Sequence, residues 1–326
     1  MSFMPIAATV TEFFEQHITT PFPLLLPYGL KCVISHIVLY VTFKYLLPSA
    51  SASTTTSRQS SSSSKDDVDY NYPWKLSPAF TANRIVAFCV MSHWSYLGLK
   101  HVWSYDYNNE EGAAKTFIPA GFDIAQIAMG TLLVWDIPSS LIGGSGPTDI
   151  MMHIHHIGMV LVTACVLGVI GTSDYSIDNT NIVGTHVAPI FLGAIEFSSI
   201  PLQIVDLCHP KKSPHWYKYV NNNNNMLTTS MSFQKLCSSI NEISRILFAV
   251  LFLITRGFYF PYVVVTIAIP DFNAEGSLPS MVLLYMSILF SLLQMYWATL
   301  VVGQVKRAFF PSGGKGKKNT RKSKDE

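Results

Sequence analysis

The chain has 326 residues and a net charge of +2, with 49% hydrophobic and only 13% charged residues. Soluble domains carry roughly a quarter charged residues, so this composition excludes an ordinary soluble enzyme, and so small a net charge gives no reason to expect a nucleic-acid partner. The apolar residues come in blocks of about twenty, the length that crosses a bilayer core. Met1–Thr20 is polar, with no basic start before an apolar core, so no cleavable signal peptide is expected. Cys32, Cys89, Cys165, Cys208 and Cys237 form no C-x-x-C pair and read as apolar packing residues.

The first expected span is Phe22–Leu47, interrupted by Pro23, Pro27, Lys31 and His36. The Ser-rich stretch that follows, within 48–78, is too polar to bury a core and is expected to be disordered. Span two is Ala79–Leu99, with Arg84 near its start and His93 inside it. Span three is Pro119–Ile142, with Asp123, Asp136 and Pro138. A short GGSGP connector makes it an antiparallel hairpin with span four, Asp149–Ser173.

Span four carries His153, His155 and His156 near its front end. Ionisable groups inside a span are costly and usually face the protein interior. On a helix Asp149, His153 and His156 share one face at i, i+4 and i+7, and His155 points away from it. A bland alternative has these histidines wetted by head groups at a helix end. Asp136 and His156 fall at similar depth in the hairpin, so the carboxylate either holds the imidazole in one tautomer or caps its own helix at the interface.

Span five, Val183–Leu207, holds His186, Pro189, Glu196 and Pro201. Glu196 is near mid-span, and Pro201 frees a backbone carbonyl close by. Met226–Asn241 is expected to be a short amphipathic or interfacial helix. Span six is Ile243–Ile269. Its Arg256 can pair with Glu196, bind an anionic lipid head or snorkel. Span seven is Leu278–Val302, and the tail 311–326 is basic and glycine-rich.

The connectors after spans one, three and five and the tail hold most of the lysines and arginines outside the spans. The positive-inside rule places them, and the tail, in the cytosol. The histidine cluster then opens near the cytosolic leaflet. Lys322 and Lys324, in the closing KSKDE, resemble a dilysine retrieval signal for the endoplasmic reticulum.

Five motifs follow one another here: LLVWDIPSSLI, IHHIGMVLV, GAIEFSSIPLQ, FLITRGFYFPYV and a closing LQMYW. In order and spacing, over about Phe80–Phe310, they resemble the TLC-domain family, which includes ceramide synthases and several small lipid-homeostasis proteins. The resemblance implies an all-α, polytopic membrane helix bundle of about seven spans around a central lipid-accessible cavity, in the endoplasmic reticulum membrane. It divides the chain into a segment 1–78, a TLC-like transmembrane domain 79–310 and the tail 311–326. It also implies acyl transfer from acyl-CoA to a sphingoid-type amine. His155 and His156 match the family's paired histidines, Asp136 and Glu196 its intramembrane acids, and Arg256 its late arginine.

The expected catalytic residues are therefore His155, His156 and Asp136. His153, Glu196, Arg256 and His93 are expected to contact substrate. No metal or resident cofactor is expected; acyl-CoA would enter as co-substrate. Membrane lipids and further copies of the chain are the expected partners. Ceramide synthases carry further aspartates after the His-His, whereas VGTHVAPIFLGAIEFSS has Glu196 and no aspartate. This brings the chain closer to the small lipid-homeostasis proteins. The alternative function is thus non-enzymatic lipid binding or homeostasis, or the trafficking of membrane proteins.

Overall fold

The computed structural model describes residues 21–46, 78–102, 117–142, 150–170, 182–208 and 227–309. The expected Ser-rich loop, Asp149, the acidic loop after span four, the basic connector after span five and the tail lie outside the described residues. Everything described is helix or short connection. We number the helical rods α1 (25–46), α2 (Pro78–Val102), α3 (119–142), α4 (Ile150–Val166), α5 (189–208), α6 (227–275) and α7 (Leu278–Phe309).

Among the described residues, five rods are long and apolar enough to cross a membrane: α1, α3, α5, α6 and α7. The other two miss for different reasons. At 17 residues, α4 is apolar but short, about 25 Å at 1.5 Å per residue. It stops at Val166 rather than at the expected Ser173, because Gly168 takes φ 70 and turns the chain out of the helix. At 25 residues, α2 is long enough, but Asn83, Arg84, Ser95 and Lys100 lower its apolar character. It can carry them because it packs against both α1 and the whole of α5. Its Asn83 donates to Ser139 Oγ at 3.2 Å, and its Ser95 hydroxyl to Met91 O at 2.6 Å.

The outer rods show a face suited to lipid. On α1, Ile34, Ile37, Val38 and Val41 are exposed, while Leu25, Gly29 and Cys32 on the other side are buried. On α6 the exposed stripe runs Ile243, Leu247, Val250, Ile254, Phe258, Tyr262 and Val265, at helical spacing. Apolar surface this continuous is rare on soluble monomers. The amphipathic helix expected over Met226–Asn241 is present from Leu227 onward but is not short. It is continuous with span six, so that α6 runs unbroken from Leu227 to Glu275. The reason is that α5 and α6 pack against each other: Asn241 is buried and donates to Val205 O at 2.9 Å. A protein partner, rather than an interface, is what the amphipathic pattern served.

Small residues set the closest contact. A Cβ on Gly98 would stand 2.5 Å from the Gly193 carbonyl carbon, and one on Gly193 would stand 2.6 Å from Gly98 Cα. The α2 and α5 backbones touch there, as membrane helices do where small residues meet. That contact fixes the height of the segment carrying Glu196.

Candidate functional site

Four prolines account for four of the irregular turns of the bundle. A proline inside a helix has no amide to donate, and its ring crowds the carbonyl four residues earlier. For Pro138, Pro261 and Pro270 that carbonyl belongs to Val134, Gly257 and Thr266. Each lies in a widened π turn: Thr131–Asp136, Leu253–Tyr259 and Val264–Ala268. For Pro201 it belongs to Phe197, inside the tightened 3-10 stretch Ala194–Ser198. Asp136, Glu196 and Arg256 all sit on such turns. Irregular turns of this kind re-aim side chains and occur often at functional sites.

Arg256 and Glu196 form a buried pair, Nη2 to Oε2 at 2.8 Å, each residue 5% exposed. The guanidinium also donates to Ser198 Oγ and Ser199 Oγ, both at 2.9 Å, and to Ile195 O at 3.3 Å. Ser199 in turn donates to Glu196 Oε2 at 2.7 Å. Of the three roles open to Arg256, the structure has the pair with Glu196. The backbone carbonyl it uses is that of Ile195, two residues before the one Pro201 crowds.

His156 Nδ1 lies 2.9 Å from Asp136 Oδ2. This is an ion-pair distance, bent away from the line of a well-aligned hydrogen bond. Next to Asp136, the Trp135 indole donates to His36 Nδ1 at 3.0 Å and so ties the widened turn of α3 to α1. His155 is 8% exposed and is held edge-on by Phe290 and Trp297, with ring centroids 5.3 and 5.6 Å away.

These groups line one cavity of about 340 Å³. Five expected site residues reach it: Asp136, His155, His156, Glu196 and Arg256. Two do not. His93 is exposed and stacks on Tyr28, whose hydroxyl is 2.8 Å from His93 Nδ1. His153 is half-buried and is not part of the cavity wall. The expected stripe on α4 is corrected with it. The cavity face is Met152, His155, His156 and Met159, so His155 belongs to it and His153 does not. The buried run Gly158, Met159, Val162 and Cys165 sets that face. Its small residues mark in the sequence where α4 meets protein.

The site also holds residues that the expectation missed. Arg84 donates to Gln203 Oε1 at 3.3 Å and lies 3.6 Å from Asp206 Oδ2. Its Nε and the Trp94 Nε1 are buried donors without a partner, and both residues line the cavity. Arg84 was visible as a charge inside an apolar stretch. Trp94, an aromatic among other apolar residues of its span, carries no such signal in the sequence. Among the described residues, no three His, Cys, Asp or Glu side chains converge as a metal ion requires.

Five rods contribute lining residues near the same end. Arg84 is near the start of α2, Asp136 near the end of α3, His155 and His156 near the start of α4, Gln203 near the end of α5 and Gln304 near the end of α7. Connectors 47–77, 143–149 and 209–226 attach at that end.

No protein-family model matches this chain, and it matches no curated protein and no solved structure.

Proposed function

We propose that this is a seven-span membrane protein of lipid metabolism, related to the TLC-domain proteins, that transfers an acyl group from acyl-CoA to a sphingoid-type amine. One observation carries the reading. Five residues singled out by motif order, scattered between positions 136 and 256, line a single cavity. A cavity of this size falls within the range of ligand sites, about 300–1,000 Å³. Its wall mixes Trp94, Trp135, Trp297 and three methionines with the charged groups, which suits an acyl chain ending in a polar head. The cavity is lipid-accessible in this reading and opens toward the cytosolic leaflet of the endoplasmic reticulum, with the tail in the cytosol.

Asp136 holds Nδ1 of His156, which leaves Nε2 to act as base. The amine nitrogen bonds to the thioester carbonyl carbon and gives a proton to Nε2. The carbon–sulfur bond breaks, and the thiolate leaves with that proton. Trp94 Nε1 and Arg84 Nε are the donors available to acceptor oxygens on the ligand. The Glu196–Arg256 pair braces α5 against α6 and keeps the floor of the cavity polar.

The test is an N-acylation assay in microsomes lacking native ceramide synthases, supplied with acyl-CoA and a sphingoid base. The expected result is product with the native chain, reduced roughly 100-fold or more by His156→Ala. Equal product from the native chain, His155→Ala and His156→Ala overturns the reading. Altered membrane lipid composition without turnover supports lipid homeostasis instead.

A further inference from the structure

Beside the large cavity lies a small hollow of about 10 Å³, room for one water. His155 lines both spaces. The hollow is otherwise walled by Met159, Val162, Ile195 and three phenylalanines, with one more polar residue, Gln294. Both polar residues are deeply buried, His155 at 8% and Gln294 at 1% exposure. Both also carry a buried polar atom without a hydrogen-bond partner, Nδ1 of His155 and Oε1 of Gln294. An orphan of this kind is destabilising for as long as it stays unsatisfied. A hollow of one-water size between a ring nitrogen and a carbonyl oxygen is the arrangement that a bridging water resolves.

The ring is aimed by the same helix. Phe290, Gln294 and Trp297 fall at i, i+4 and i+7 on α7. The two aromatic rings grip His155 edge-on from either side of Gln294 in sequence. The imidazole therefore cannot rotate away from the hollow without unpacking both rings.

We infer that Gln294 is a positioning residue for His155, acting through one bound water that accepts from Nδ1–H and donates to the Gln294 carbonyl oxygen. In this chain of bonds each link polarises the next. The opposite arrangement, with the water donating to both acceptors, leaves both of its lone pairs facing apolar walls. The relay keeps the proton on Nδ1, and Nε2 becomes the lone-pair nitrogen on the side of the large cavity. The consequence for catalysis rests on the acyl-transfer reading: His155 then joins His156 in offering an unprotonated nitrogen to the ligand. The relay itself does not depend on turnover.

The experiment is nitrogen NMR of the full chain in lipid nanodiscs, labelled at histidine and without substrate. His155 signals are assigned by their loss in His155→Gln. The expected result is a neutral ring protonated at Nδ1, with a water cross-peak to that proton. Gln294→Met removes the acceptor at similar volume and should shift the Nδ1–H to Nε2–H ratio roughly tenfold. Gln294→Glu keeps a side-chain oxygen and should restore it. A wild-type ring protonated at Nε2, a missing water cross-peak or an unchanged ratio in Gln294→Met each overturns the inference. The first two need no substitution at Gln294. Failure of the microsome assay alone would sink the acyl-transfer reading and leave this one standing.

Discussion

Removing Glu196 alone would leave the Arg256 guanidinium buried without its counter-charge, and removing Arg256 alone would strand a carboxylate among Ile195, Ser198 and Ser199. Breaking one side of a buried pair costs about 3–5 kcal/mol, whereas replacing both sides with apolar groups is often neutral. Glu196→Gln and Arg256→Met should therefore each lower the thermal unfolding midpoint of the purified protein, and the double variant should lose less than the sum. Additive losses would mean that the two groups act independently. At Asp136 the expectation is different. The carboxylate is partly open, with 23% of its side chain exposed, and orients His156 rather than bracing a helix. Asp136→Asn should leave the midpoint nearly unchanged and lower acyl transfer roughly 100-fold, with most of the loss in kcat. A loss of stability with transfer intact would reverse that assignment. The sequence already showed these charges, because an Asp, a Glu and an Arg inside apolar stretches are conspicuous by their cost. It did not show which way α4 faces. A helical wheel anchored on Asp149 favours His153, whereas packing through Gly158 and Cys165 turns His155 inward.

At the level of the helices, the prolines decide more than the charges do. Pro138 sits two residues beyond the widened turn that ends at Asp136, and Pro261 two residues beyond the one containing Arg256. A proline inside a helix costs about 3 kcal/mol or more relative to a good helix former, and alanine at the same place lets the turn close. Pro138→Ala should thus raise the unfolding midpoint and lower transfer together. Regular α-turns would rotate Asp136 away from His156 while strengthening α3. This is the trade between stability and activity expected of a strained site. A variant that gains stability and keeps full transfer would show that the widened turn does not aim Asp136. Gly98→Ala tests the opposite case. Its Cβ would meet backbone atoms of Gly193 and Ala194 at 2.5 Å and 2.2 Å, with no flexible side chain to give way. Overpacking typically costs about 1–3 kcal/mol, and here it should also move Glu196, which lies three residues from Gly193. Helix positions were legible because apolar blocks and prolines punctuate the chain. The join between 226–241 and span six was not, since an amphipathic face looks the same whether it meets head groups or α5.

Across the whole molecule, topology turns on α2 and α4, beside five rods long and apolar enough to cross a membrane. Two rods fall short of the length and apolarity that would place them without argument, α2 and α4. Yet α2 packs along the length of α5, and α4 packs against α3 and α7, all three long enough to span. A polar helix enclosed by such neighbours meets protein where an outer rod meets lipid, so its polar groups are satisfied within the bundle. If both cross, the connectors alternate sides. Connectors 47–77, 143–149 and 209–226 then share the side at which Arg84, Asp136, His155, His156 and Gln203 line the cavity. Two of the three, 47–77 and 209–226, hold Arg58, Lys65, Lys75, Lys211, Lys212 and Lys218, while 143–149 holds no basic residue, so in the proposed topology the charge of two connectors and the placement of the cavity choose the same side as cytosolic. Glycosylation acceptor sites inserted one at a time should be modified in 103–116 and 171–181, which face the lumen in this topology. Insertions in 47–77, 143–149 and 209–226 should remain unmodified. Modification at 143–149 would invert the α3–α4 hairpin. It would put the histidines at the lumenal face, out of reach of a cytosolic acyl-CoA, and remove the basis for the transfer reaction even if the cavity still bound lipid.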